Sequence, residues 1–251
     1  MKIEIKGMIE SSMLDWDGRI VSTLFVSRCN FRCPFCQNQG LVLHPEKHET
    51  IPLAKIKEHL QKFRRWIDGI CLTGGEPCIY ADIGELLKEI RELGMKVKLD
   101  TNGALPDTVK DLLKNKMVDY IAMDVKAPID DVSTCQRVNV SEKKRKKTKY
   151  EEAAGGKIDI RRIKESIKTI MESGIEYEFR TTIVPSLHTA DDVVSIARSI
   201  KGARKYCLQN FVNKQAMKPE FRKIAPYKPD ELENMKKLAS PFVKACILRG
   251  A

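Results

Sequence analysis

From residue 19 onward, short apolar runs alternate with segments whose apolar residues recur at helical spacing. That alternation restricts the chain to a small set of folds. "RIVSTLFV" (19–26), "GICLT" (69–73), "MKVKLD" (95–100), "DYIAMD" (119–124), "EYEFRTTIV" (176–184), "YCLQ" (206–209) and residues 245–248 read as strands. Helices are marked by Leu53, Ile56, Leu60 and Phe63, by Ile83, Leu86, Leu87, Ile90 and Leu93, and by Val109, Leu112 and Leu113. Ile163, Ile167, Ile170 and Met171 mark another, as do Val193, Ile196 and Ile200, and then Leu232, Met235 and Leu238. Gly94 and Gly174 stand where two of these helices should stop. Repeated βα units imply a parallel sheet with right-handed crossovers. Six such units are too few for a closed eight-stranded barrel. The expected fold is α/β, a partial (β/α)6 TIM-type barrel with a parallel sheet, in one domain over residues 1–251.

Composition sets the class. A chain of 251 residues can bury a sizeable core, and 42% hydrophobic with 31% charged residues describes a soluble globular protein. The polar, alternating N-terminus lacks the apolar run of a signal peptide, and no stretch is long enough to span a membrane. A cytoplasmic location follows as an expectation, and there thiols stay reduced. The eight cysteines then read as ligands or core residues rather than disulfides.

Three of them crowd into "CNFRCPFCQNQG": Cys29, Cys33 and Cys36, spaced C-x3-C-x2-C. Structural zinc usually takes four ligands, often from two C-x2-C pairs, and no second pair exists here. Cys71, Cys78, Cys135, Cys207 and Cys246 are scattered singly and read as buried or incidental, while His44 and His48 fit zinc-finger spacing poorly. A [4Fe–4S] cluster also takes four thiolates as a rule. Three would leave one iron open to a substrate or cofactor. Spacing alone leaves both readings standing, the zinc one with a distant fourth ligand.

The C-x3-C-x2-C spacing, with Phe35 just before the last cysteine, resembles the signature of radical S-adenosylmethionine (SAM) enzymes. The resemblance implies one [4Fe–4S] cluster held by Cys29, Cys33 and Cys36, with SAM on the fourth iron. It implies reductive cleavage of SAM to a 5′-deoxyadenosyl radical, chemistry that belongs to the cofactor while the protein supplies position and a dry site.

Parallel βα folds place their sites at the C-terminal ends of strands. Reading off those ends gives the cysteine loop (27–40), "TGGEP" (73–77), "DTNG" (100–103) and "MDVK" (123–126), with Arg180 in the next strand. Gly74 and Gly75 would let backbone approach a ligand, and Glu76 could pair with an ammonium group. Taken alone, each of these motifs reads as a turn, a strand end or a structural ion pair. Their common placement gives them weight. "GGEP" after a strand resembles the motif that holds SAM's amino group in that family. The expected cofactor-binding residues are Phe35, Gly74, Gly75, Glu76, Asp100, Asn102, Asp124, Lys126 and Arg180.

"DWDGRIVSTLFVSRCNFRCPFCQNQGLV", followed in order by "LTGGEP", "LDTNG", "AMDVKAP" and "RTTIVP", is similar to the activating proteins of glycyl-radical enzymes. Closest in pattern are the anaerobic ribonucleotide reductase activating proteins, with pyruvate formate-lyase activating enzyme a cousin. The resemblance implies an oxidoreductase, working anaerobically, that abstracts hydrogen from a backbone glycine of a partner enzyme in trans, fed by an external electron donor. It also suggests Na+ or K+ at Asp100, Thr101 and Asp124, where two carboxylates beside SAM's own would otherwise repel. No catalytic side chain is expected beyond the cluster and SAM. Where the cousin family carries a histidine-bearing polar loop, this chain has "LQNFVNKQ".

Residues 141–157 look inserted. "KKRKKTK" (143–149) reads as a solvated, mobile run or as a flap for an acidic partner. The formal charge of +11 keeps RNA, or a small molecule, as the alternative substrate of a radical SAM enzyme. "AAGGKID" lacks the spacing of a P-loop, and Trp16 and Trp66 read as packing residues.

Overall fold

Leu24, Leu72, Leu99 and Ile121 lie in one row across four neighbouring strands, each wholly buried. In the computed structural model, which describes residues 2–129 and 146–250, that row is the spine of the first of two compact units. This unit takes Met1–Asn30, Asn38–Met123 and Glu165–Tyr177. Its strands are β1 (Ile5–Ser12), β2 (Val21–Val26), β3 (Gly69–Gly74), β4 (Lys96–Thr101) and β5 (Tyr120–Asp124), the final residue of β5 falling to the second unit. β2, β3, β4 and β5 pair in parallel, as the βα pattern requires. Strands buried on both faces read as apolar runs, which is why they were visible in the sequence.

β1 is the exception. It pairs antiparallel with β2, and its register breaks between Ile5 and Gly7 and between Ile9 and Ser12. The sheet is thus mostly parallel, as expected, and β1 departs from it because a short return through residues 13–20 joins antiparallel strands. Trp16 in that return is buried against Tyr120, ring centroids 5.7 Å apart. Trp66, expected to pack, is instead 74% exposed.

The helices of this unit are α1 (Gln39–Leu43), α2 (Leu53–Lys62), α3 (Ile83–Glu92) and α4 (Pro106–Lys114). In α3, Ile83, Leu86, Leu87 and Ile90 fall on one stripe and all are buried. Each such side chain contributes about 1.5–3 kcal/mol on burial, far more than propensity supplies over the same turns. Gly94 follows α3 with φ +81°, as the helix-stop reading anticipated.

The second unit takes Phe31–Gln37, Asp124–Lys164 and Glu178–Ala251. Neither unit is a continuous stretch, so no single cut in the sequence separates them. Its helices are α5 (Lys149–Ala154), the start of α6 (Ile160–Glu172), α7 (Ala190–Ser199) and α8 (Pro229–Ala239). Its strands are β6 (Glu176–Ile183, the first two residues falling to the first unit), β7 (Tyr206–Asn210) and β8 (Cys246–Arg249), again paired in parallel. Among the described residues no helix is long and apolar enough to cross a membrane.

One ion pair ties β6 to β8. Glu178, with no exposed surface, accepts from Arg249 at 2.6 and 2.9 Å, the two nitrogens meeting the two oxygens. Removing one partner of a buried pair strands the other charge. We expect Arg249→Met to lose about 3 kcal/mol of stability, below the strongest effects because Arg249 is itself partly exposed. Denaturant unfolding reads this directly. A loss under about 1 kcal/mol would place the pair among ordinary surface bridges.

Candidate functional site

In the first unit the chain leaves β2 through Ser27 and Arg28. Arg28 adopts φ +57°, unusual for a residue with a side chain. The turn is fixed by its surroundings. Gly75 N–H donates to the Val26 carbonyl at 2.9 Å and Glu76 N–H to the Arg28 carbonyl at 2.8 Å. The Tyr80 hydroxyl lies 2.7 Å from the Ser27 carbonyl, and the Asn38 amide donates to the Gly74 carbonyl at 2.8 Å. A Cβ on Gly75 would lie 1.6 Å from the Arg28 carbonyl oxygen, and one on Gly74 would meet the Val26 backbone at 2.6 Å. The missing side chains are what lets the β3 end lie directly on the start of the cysteine loop.

Glu76 organises the next strand end. It is buried, and its carboxylate accepts from Cys78 N–H at 3.0 Å, from the Thr101 hydroxyl at 2.8 Å and from Asn102 N–H at 2.7 Å. Burial pushes its pKa up while those three donors pull it back. Asn102 thereby faces the cysteine loop, donating to the Asn30 side chain at 2.7 Å, with Cys29 Sγ 3.7 Å away. Asp100 pairs with the buried Lys98 at 2.5 Å and accepts from the Thr73 hydroxyl at 3.3 Å.

In the second unit, Cys33 and Phe35 are buried and Cys36 is half-buried. Cys36 N–H closes a turn on the Cys33 carbonyl at 3.0 Å. The loop is held on both flanks: Arg32 N–H donates to the Ala154 carbonyl at 2.8 Å, and Lys218 N–H to the Pro34 carbonyl at 2.9 Å. Burial pushes the Cys33 thiol up to about 11, with Lys126 pulling the other way. Asp124 lies between two cations, Lys126 Nζ at 2.8 Å and Arg180 Nε at 2.8 Å. Burial alone would raise its pKa, but these partners hold it below the usual carboxylate range. Burial alone would lower Lys126, yet Asp124 and then Cys33 raise it above the ordinary lysine value. The Lys126 ammonium also lies 5.9 Å from the centre of the Phe35 ring.

The radical SAM superfamily profile matches residues 23–200. The chain belongs to the radical SAM superfamily. Over 254 aligned residues it is 30% identical to a Methanocaldococcus jannaschii protein named "Putative glycyl-radical enzyme activating enzyme MJ1227", covering 99% of this chain and 97% of that one. A second protein of the same organism, "Putative glycyl-radical enzyme activating enzyme MJ1632", is 28% identical over 80% of this chain and 73% of its own length. Among solved structures, Streptococcus suis SuiB bound to S-adenosylmethionine superposes with a TM-score of 0.64 at 18% identity, covering 89% of this chain. This chain spans 48% of SuiB, and the likeness shows the fold alone: the mostly parallel α/β fold of radical SAM proteins, of partial TIM-barrel type.

Set beside the expectations for a radical SAM chain, Cys29 and Asn102 meet in one unit. Phe35, Asp124, Lys126 and Arg180 gather with Cys33 in the other. Glu76 braces the loops, its carboxylate accepting from three donors of its own chain. Gly74 and Gly75 admit the chain's own backbone at the start of the cysteine loop. The three residues expected to hold Na+ or K+ each have a partner within the chain. Asp100 already has Lys98, Asp124 has Lys126 and Arg180, and the Thr101 hydroxyl serves Glu76. Among the described residues no three His, Cys, Asp or Glu side chains are gathered as a metal-binding group.

Residues 130–145, with Cys135 and the first part of the basic run, lie outside the described residues. The described part of the expected insertion contains a helix, α5. Thr148 and Glu151 form a reciprocal cap at the start of α5, and Tyr150, Ala153 and Ala154 are buried. Gly155 ends it at φ +74°, where a Cβ would lie 1.9 Å from the Arg32 carbonyl oxygen. Sequence reading missed Tyr150 and His188. His188 is buried, its Nδ1 accepting from Val184 N–H at 3.0 Å and its Nε2–H donating to the Lys126 carbonyl at 2.8 Å. That geometry needs a neutral ring, and burial lowers its pKa accordingly. Each residue sits beside a T-x-x-acid capping signal, Thr148–Glu151 and Thr189–Asp192, which marks its helix but not its role.

Proposed function

We propose that this chain is a glycyl-radical-enzyme activating enzyme, holding one [4Fe–4S] cluster through Cys29, Cys33 and Cys36 and acting on a partner protein in trans. The observation that supports it is the likeness, along almost the whole chain, to a protein named for that activity. The donor chemistry fits. None of the three thiols is in a disulfide, and two belong to a turn braced on both flanks. Cys33, protonated at neutral pH, would give up its proton as iron binds.

When bound, the cluster and SAM supply a 5′-deoxyadenosyl radical by reductive cleavage. This chain's residues hold and enclose them. Asn102 stands beside Cys29 to orient that part of the loop. Lys126 offers a positive charge for a carboxylate, kept protonated by Asp124. Phe35 and the buried face around Cys33 exclude water. Glycine suits the target because its Cα is unhindered, and its radical is flanked by an amide nitrogen and a carbonyl.

The test is anaerobic. Reconstituted protein, SAM and a low-potential reductant are mixed with a glycyl-radical enzyme of the same genome, and the expected result is the EPR doublet of a glycyl radical on that partner. SAM cleavage without any protein radical overturns the assignment. If RNA binding then falls log-linearly with salt, the +11 charge serves phosphate recognition and an RNA substrate takes its place.

A further inference from the structure

Tyr150 is wholly buried, and among the described residues its hydroxyl alone is a buried side-chain polar atom with no hydrogen-bond partner. An orphaned buried donor is costly, so its persistence calls for a reason. Its surroundings offer one. α5, which carries it, is bonded to the cysteine loop by Arg32 N–H on the Ala154 carbonyl at 2.8 Å. Gly155 brings the helix end against Arg32, the residue before Cys33, closer than any side chain would allow. Burial pushes the phenol's pKa up, the Lys126 backbone pulls it down, and the charges of Lys126, Cys33 and Asp124 also reach it. Two of these neighbours are satisfied, since Asp124 has its two cations and Lys126 has Asp124. The Lys126 backbone lowers the phenol's pKa, so it acts on the phenol oxygen as a donor and takes no proton from it. Cys33 remains, and its sulfur becomes a much better acceptor once it exchanges its proton for iron.

We propose that Tyr150 is a positioning residue that donates a hydrogen bond to the Cys33 sulfur when that sulfur ligates the cluster, raising the cluster's reduction potential. The inference rests on the proposed cluster ligation by Cys33 and is independent of the identity of the final substrate. Hydrogen bonds to cluster sulfurs stabilise the more negative, reduced state, so they make reduction easier. The donor would be built into the helix that supports the loop, which is bonded to it through Arg32.

Tyr150→Phe keeps the ring and removes only the donor. In reconstituted protein, an EPR-monitored redox titration should show the midpoint shifted to more negative potential than in the parent, with iron content unchanged. In the iron-free protein the same variant should match or exceed the parent's melting temperature, because the hydroxyl has no partner to lose. An unshifted midpoint with a full cluster overturns the inference while leaving cluster ligation intact. A clear fall in the iron-free melting temperature also overturns it, since the hydroxyl would then serve the fold. If the parent protein itself binds no cluster, the proposed function and this inference fall together.

Discussion

Replacing any one of Cys29, Cys33 or Cys36 with alanine is expected to abolish SAM cleavage and to strip most of the iron from the reconstituted protein. The parent should bind about four irons, as one [4Fe–4S] cluster requires. With only three protein ligands, one loss leaves two thiolates for four irons. The remaining described cysteines provide the contrast. Cys71, Cys78 and Cys207 are buried in the core, and Cys246 is half-buried on β8. Alanine there removes one sulfur's packing, about 1–2 kcal/mol of stability, and should leave iron and SAM cleavage in place. Iron analysis and 5′-deoxyadenosine formation read both sets. A loss at Cys71 or Cys78 equal to that at Cys33 would show the ligand set to be wrong.

Glu76→Ala should be the most damaging change outside the cysteines. It leaves two buried backbone N–H groups and one hydroxyl without their acceptor. At about 1–3 kcal/mol for each stranded donor, partly relieved by entering water, the loss should reach about 3–5 kcal/mol. The melting temperature of protein free of iron and SAM is the decisive reading. A brace lowers it steeply, whereas a residue reserved for SAM leaves it unchanged and loses only SAM affinity. The second outcome would favour Glu76 as an ammonium partner over a brace.

Both predictions turn on residues that sequence reading found, but it assigned their roles unevenly. The parallel strands were legible because burial on both faces demands uninterrupted apolar runs such as "GICLT". β1 was not, because a half-exposed strand with Gly7 and two register breaks carries little pattern. The cysteine motif was legible as the mark of a family, and the family's profile then matched. The bracing by Glu76 was not, because nothing local says that an N–H 26 residues away will aim at it. The charge pairs were in plain view and went unread. Lys98 and Asp100 stand two apart on β4 and so share a face of that strand, and Asp124 at the end of β5 pairs with Lys126 two residues on. In α5 the dense basic run drew attention from the capping pair and the glycine stop that define the helix.

The interleaving of segments has a consequence for the chain as it is made. The first unit needs Glu165–Tyr177, and the second joins Phe31–Gln37 to strands that end at Arg249. At about 5–20 residues per second, Cys33 and Cys36 leave the ribosome roughly ten to forty seconds before the last strand of their unit exists. Through that interval their thiols are without their full enclosure. We therefore expect iron delivery to follow release from the ribosome, and nascent chains arrested before β8 to take up no stable cluster.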